Sequence, residues 1–224
     1  MATIAVAEHA GGGRAPVDQP GQELLFTIGH SSHTGDAFLA LLRRHGVRAV
    51  VDVRSSPYSR HCPQFNRETL DAMLRAAAVG YVFLGKELGA RPADPACYED
   101  GRISFARIAG SGAFLRGLDR LREIAAASRA AVMCSEKDPL DCHRAILLAR
   151  RLHRLGVRVV HILGDGALED HAAAERRLVR RLKVEPTLFD ADDSGTSLIE
   201  RAYRKQEHRI ACRPEREAQL SPDP

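Results

Sequence analysis

Cys134 and Glu136 stand two residues apart, and Cys142, His143 and Arg144 follow a short turn later. A thiolate attacks or ligates, and a carboxyl moves a proton. An imidazole does either, and a guanidinium pins an anion. The segment Ala-Ala-Val-Met-Cys134-Ser-Glu136-Lys-Asp-Pro-Leu-Asp-Cys142-His143-Arg144 therefore holds the parts of a nucleophilic or acid–base site. Its apolar start reads as a buried strand and its end as the first turn of a helix. In an open α/β sheet that junction is where ligands usually bind.

Three other apolar runs end in the same way. Leu24–Ile28 stops at Gly29-His30-Ser31, where a glycine lets the backbone approach closely and His30 is a candidate base or metal ligand. Ala49–Arg54 carries Asp52 and Arg54 near its carboxyl end. Tyr81–Leu84 runs into Gly85-Lys-Glu-Leu-Gly89-Ala-Arg91. Each residue also has a packing role open to it. Cys134 is a small apolar residue at a strand end, Cys142 a first-turn residue facing the core, and Arg54 and Arg144 partners for Asp52 or Glu136. Two arginines on neighbouring strand ends favour an anion, which a helix N-terminus would also attract.

The elements that must position these groups follow from periodicity. Thr34 is placed to cap a helix carrying Phe38, Leu41, Leu42 and Val47, and a second helix is expected over 67–79. Residues 91–112 read as one long irregular loop, with a helix over 114–127 beyond it. A helix from Cys142 to Leu155 stops at Gly156, a fifth strand covers 157–163, and a basic helix spans 168–183. Strands alternating with helices predict an α/β fold, a three-layer Rossmann-like domain with a mainly parallel sheet flanked by helices. Residues 1–22, rich in Gly, Ala and Pro, read as a disordered leader. The domain is expected over 23–189, and 190–224 as a polar tail containing one helix.

At 224 residues the chain is long enough to bury a core without staples. Five scattered cysteines and no secretory or membrane-length apolar run suit a reducing cytoplasm and exclude a membrane partner. Of the 33 basic residues only Lys86, Lys137, Lys183 and Lys205 are not arginine, and the net charge is +4. That balance reflects composition more than nucleic-acid affinity, and without tryptophan stacking platforms are scarce.

Thr27-Ile-Gly-His-Ser31, Asp52-Val-Arg54 with Pro57 and Ser59, Tyr81–Gly89, and Cys134-Ser-Glu136 with Cys142-His-Arg144 occur in an order that resembles the domain of unknown function 488. The likeness runs from Leu24 to Phe189. Ala90 departs from it, standing where that family commonly has a second glycine. The resemblance implies an α/β domain with a site at these loops, and no reaction.

The site expected from all this has Cys134, Glu136, Asp52 and His30 as catalytic groups. Gly29, Ser31, Arg54, Ser59, Gly85, Gly89, Arg91, Cys142, His143 and Arg144 would bind the substrate, an anionic small molecule bearing phosphate or carboxylate. No metal or cofactor is assigned to it. Three other readings stay open. The basic run Arg176–Lys183 suits a nucleic-acid-binding accessory module. Cys134, Cys142, His143 and His30 suit a metal-binding protein, although adjacent Cys142 and His143 on one helix would share a metal awkwardly. Asp-Val-Arg with a later strand-end cysteine is loosely rhodanese-like, a sulfurtransferase with Cys134 as its nucleophile.

Overall fold

A computed structural model describes residues 23–185 and 196–211. The expected leader, and the parts of the expected tail before 196 and after 211, lie outside them. Strand β1 (Leu24–Gly29) leads to helix α1 (Gly35–Arg44). Thr34 caps that helix, its hydroxyl oxygen accepting from the Ala37 amide at 3.2 Å. Strand β2 (Ala49–Asp52), helix α2 (Arg67–Ala76) and strand β3 (Gly80–Phe83) follow, the last joined directly to the single turn α3 (Gly85–Leu88).

The stretch expected as an irregular loop is structured instead. Strands β4 (Tyr98–Glu99) and β5 (Arg102–Ile103) form an antiparallel hairpin, and helix α4 (Phe105–Gly110) runs on from it. Asp100 and Gly101 turn the hairpin, both with positive φ (48° and 69°), a conformation that Asp-Gly pairs adopt readily.

Helix α5 (Gly112–Ala127) then delivers the chain to strand β6 (Ala130–Cys134). The helix expected from Cys142 is broken into three pieces: a 3₁₀ turn (Pro139–Asp141), a π-helix (Arg144–Ala149) and helix α6 (Arg150–Arg154). Gly156, with φ of +84°, ends α6 as expected and turns into β7 (Arg158–Ile162). Leu168–Asp170 is a strand, β8, and not the start of the basic helix. Helix α7 therefore covers only His171–Arg181, and α8 (Thr196–Ile210) closes the described chain.

The sheet runs β3-β2-β6-β1-β7-β8, parallel except for the edge strand β8. Its period-two alternation sends side chains to two cores. Phe26, Ile28, Val50, Ala131 and Met133 pack beneath α1 and α2. Val51, Val132, Cys134 and Val159 pack on the other face with α5, the π-helix, α6, α7 and α8. The fold is thus a three-layer α/β arrangement with a mostly parallel six-stranded sheet. Ala202 and Tyr203 of α8 are buried in the second core, so the packed body continues beyond residue 189. No helix among the described residues is long and apolar enough to cross a membrane.

A candidate active site at the carboxyl edge of the sheet

Strand β6 lies between β2 and β1, pairing Asp52 with Met133 and Gly29 with Cys134. The ladder continues past the strand ends, His30 N–H donating to Cys134 O at 2.9 Å and Ser31 N–H to Ser135 O at 2.8 Å. The chain after β1 turns to one face of the sheet and the chain after β6 to the other. A crevice opens at such a divergence. Cys134 sits at its base.

Cys142 reaches the same place by a backbone break. The Asp138 carboxylate caps the 3₁₀ turn by accepting from the Leu140 amide. Cys142 itself is extended (φ −134°, ψ 145°), while His143 is already helical (φ −60°, ψ −24°). The two neighbours therefore do not share a helix, and their side chains converge. His143 Nδ1 lies 3.7 Å from Cys134 Sγ and 3.8 Å from Cys142 Sγ. The Arg144 amide donates to Cys142 Sγ at 3.4 Å.

These groups line a cavity of about 170 Å³ together with Arg54, Ser55, Ser56, Arg91, Ser135, Glu136 and Asp141. Ile103, Phe105 and Ile210 form its apolar wall. Of the residues expected from sequence, Cys134, Glu136, Arg54, Arg91, Cys142 and His143 face it. Asp52, His30, Gly29, Ser31, Gly85, Gly89 and Arg144 are built into its surroundings, whereas Ser59 does not line it and organises the loop before α2.

The surrounding residues have identifiable work. Arg54 spans Asp52 with Nε and Nη2 at 2.9 and 2.7 Å, and gives Nη2 to Phe65 O and Nη1 to His30 Nε2. Asp52 also accepts from the Tyr81 hydroxyl. His30 donates Nδ1–H to Ser31 O and stacks on Phe65. Burial, the largest influence on it, lowers its pKa to about 4, so it stays neutral. Arg144 is fully buried and donates to the carbonyls of Glu136 and Lys137 at 2.8 and 3.1 Å. It shapes the loop that presents Glu136. Ser59 Oγ accepts from the amides of His61 and Cys62. Gly29, Gly85 and Gly89 each press against backbone, with no room for a Cβ.

The electrostatics divide the two thiols. Burial opposes ionisation of Cys142, but the Cys134 thiol, the Arg144 guanidinium and His143 outweigh it and hold Cys142 well below its ordinary pKa. Cys134 is pushed well above its ordinary value by that same neighbour and by burial. Burial works against charge on His143, yet its contact with Cys142 raises it. Burial and the Cys142 charge raise Glu136. His143 Nε2 is buried without a hydrogen-bond partner among the described residues. Among those residues Cys134, Cys142 and His143 also form a group able to hold a metal ion.

Sequence reasoning missed the apolar wall. Phe105 starts α4, whose cap, Ser104, was a legible signal. Ile210 comes from α8, on a segment read as tail.

The family model described as Domain of unknown function DUF488 matches residues 34–151, a span that contains Cys134, Glu136, Cys142 and His143. No curated protein matches the chain, and no solved structure does.

Proposed function

The chain belongs to the DUF488 family, a membership that specifies no reaction, and from the site itself we propose an enzyme acting on a small, negatively charged molecule. The molecule would occupy the cavity between β6 and α4, where Glu136 moves a proton as a bond is cleaved. The observation that carries this reading is the convergence of two thiols, an imidazole and a carboxyl on one cavity of about 170 Å³. Packing alone does not require four reactive groups to share one space. Arg91 and the hydroxyls of Ser55, Ser56 and Ser135 supply donors for an anion. Arg54 holds Asp52, and Arg144 holds the carbonyls of Glu136 and Lys137, so both shape the walls of the cavity.

The alternatives fare less well. In the basic run, Arg177 bridges Asp138 and Glu169, and Arg181 is held by Asp138 and Asp141, so two of its five basic residues are already paired. A sulfurtransferase would need Cys134 as thiolate, the state that burial and Cys142 oppose.

The test is turnover of a panel of small phosphate- and carboxylate-bearing compounds by the full chain, followed by mass spectrometry. At least one compound is expected to be cleaved. Glu136→Gln, which keeps the shape and loses the proton, should slow that cleavage by about 100-fold. An unchanged rate in Glu136→Gln, or no turnover anywhere in the panel, overturns the proposal.

A further inference from the structure

The sulfurs of Cys134 and Cys142 and a ring nitrogen of His143 lie within 4.8 Å of one another. Hydrogen bonding explains this triangle poorly. A single Nδ1–H points at one sulfur, yet Nδ1 is nearly equidistant from both, at 3.7 and 3.8 Å. A metal explains it better. Zinc holds thiolate at roughly 2.3 Å and imidazole at roughly 2.0–2.1 Å, so at tetrahedral angles its N···S edges are about 3.6 Å. Both observed edges fall within a few tenths of an ångström of that figure.

From this match we propose that Cys134, Cys142 and His143 bind a divalent metal of the zinc class, leaving a fourth position open to the cavity. Two sulfurs and one nitrogen select such a metal over magnesium or calcium. Two thiolates neutralise the dication, which removes the difficulty of burying an unpaired thiolate. The Arg144 amide on Cys142 Sγ supplies the outer hydrogen bond that a ligating sulfur commonly accepts. Ligation through Nδ1 also fixes the proton on Nε2, the buried nitrogen without a hydrogen-bond partner among the described residues.

The site deepens the enzymatic reading and rests on it for its chemistry. A metal held by these three residues would acidify a water facing the cavity. Glu136 would take that proton as the oxygen bonds to the substrate's electrophilic atom. It would return the proton to the leaving group as the scissile bond breaks with its electron pair on that group, so that water is added across the bond.

Titration of the reduced, metal-free full chain with Co²⁺ tests the site directly. One equivalent should bind, with the intense visible bands of tetrahedral Co²⁺ and near-ultraviolet thiolate charge transfer. Cys142→Ser and Cys134→Ser should each weaken binding by at least about 100-fold and reduce the charge-transfer band. In the unaltered chain, Zn²⁺ should protect Cys134 and Cys142 from alkylation while Cys62 stays reactive, a readout that needs no variant to fold. Absence of stoichiometric binding, binding unchanged in Cys142→Ser, or no protection overturns the metal site. Without metal binding but with turnover lost in Glu136→Gln, the metal site falls and the enzyme stands. Metal binding with turnover unchanged in Glu136→Gln gives the reverse.

Discussion

At the scale of single residues, Gly29 shows how tightly the crevice is drawn. A Cβ there would sit 1.9 Å from Glu136 O and 3.0 Å from Arg144 Nη2. Gly29→Ala is therefore expected to destabilise the fold by about 2–3 kcal/mol. Gly110, at the end of α4, would meet nothing within 4 Å. Gly110→Ala should be neutral or stabilise by up to about 1 kcal/mol. Urea denaturation of both variants checks the contrast, and equal effects would contradict the packing described. Residue types at the site were legible in the sequence because chemistry restricts them. Direction was not. Arg54 and Arg144 read as anion ligands from their position at strand ends, but Arg54 is taken by Asp52, His30 and Phe65 O, and Arg144 by the carbonyls of Glu136 and Lys137. Sequence spacing does not reveal which carbonyls turn inward.

At the scale of elements, strands and helices with one clear period were legible, as α1 with its Thr34 cap illustrates. The misses have physical causes. The β4–β5 hairpin has two-residue strands, too short for alternation to register, although Asp100-Gly101 was a usable turn signal. The π-helix keeps the apolar pattern of an α-helix while changing its bonding, so periodicity cannot distinguish them. Helix α8 was expected within the tail, but its docking on the body was not, since part of what anchors it is polar. The Tyr203 hydroxyl donates to Glu175 at 2.8 Å and accepts from His171 Nε2 at 3.0 Å, and Gln206 donates to Leu140 O in the turn before Cys142. Removing that hydroxyl in Tyr203→Phe strands His171 and Glu175 and should cost about 1–3 kcal/mol. Thermal unfolding is the measurement, and an unchanged midpoint would show that α8 is not held by this bond.

At the scale of the whole molecule, one hydrogen-bonded chain joins the sheet to its outer layer. Thr27 Oγ1 donates to His161 Nδ1, His161 Nε2 to His171 Nδ1, and His171 Nε2 to Tyr203. Glu175, His153, Arg144, Arg150, Arg154 and Arg177 are other charged or titratable groups near it. Burial leads the causes at both histidines, lowering His171 to about 3 and His161 well below its ordinary value. The unfolded chain binds these protons near pH 6.5 and the folded chain does not, so stability is retained above that pH and lost below it. Between pH 7 and pH 5 His171 should withdraw roughly 2 kcal/mol, and His161 acts in the same direction. Unfolding free energies measured across that interval would refute the prediction if they stayed level. The strand order carries a further consequence, for the making of the protein. Strands β1 and β2 never pair with each other; β6, far later in the chain, is their shared neighbour. Until a nascent chain extends past Cys134, both strands keep an open edge, and the long loop closure that joins them is still to come. Inserting β6 between them brings Cys134 into place, so bridging the first two strands and founding the reactive cluster depend on the same step.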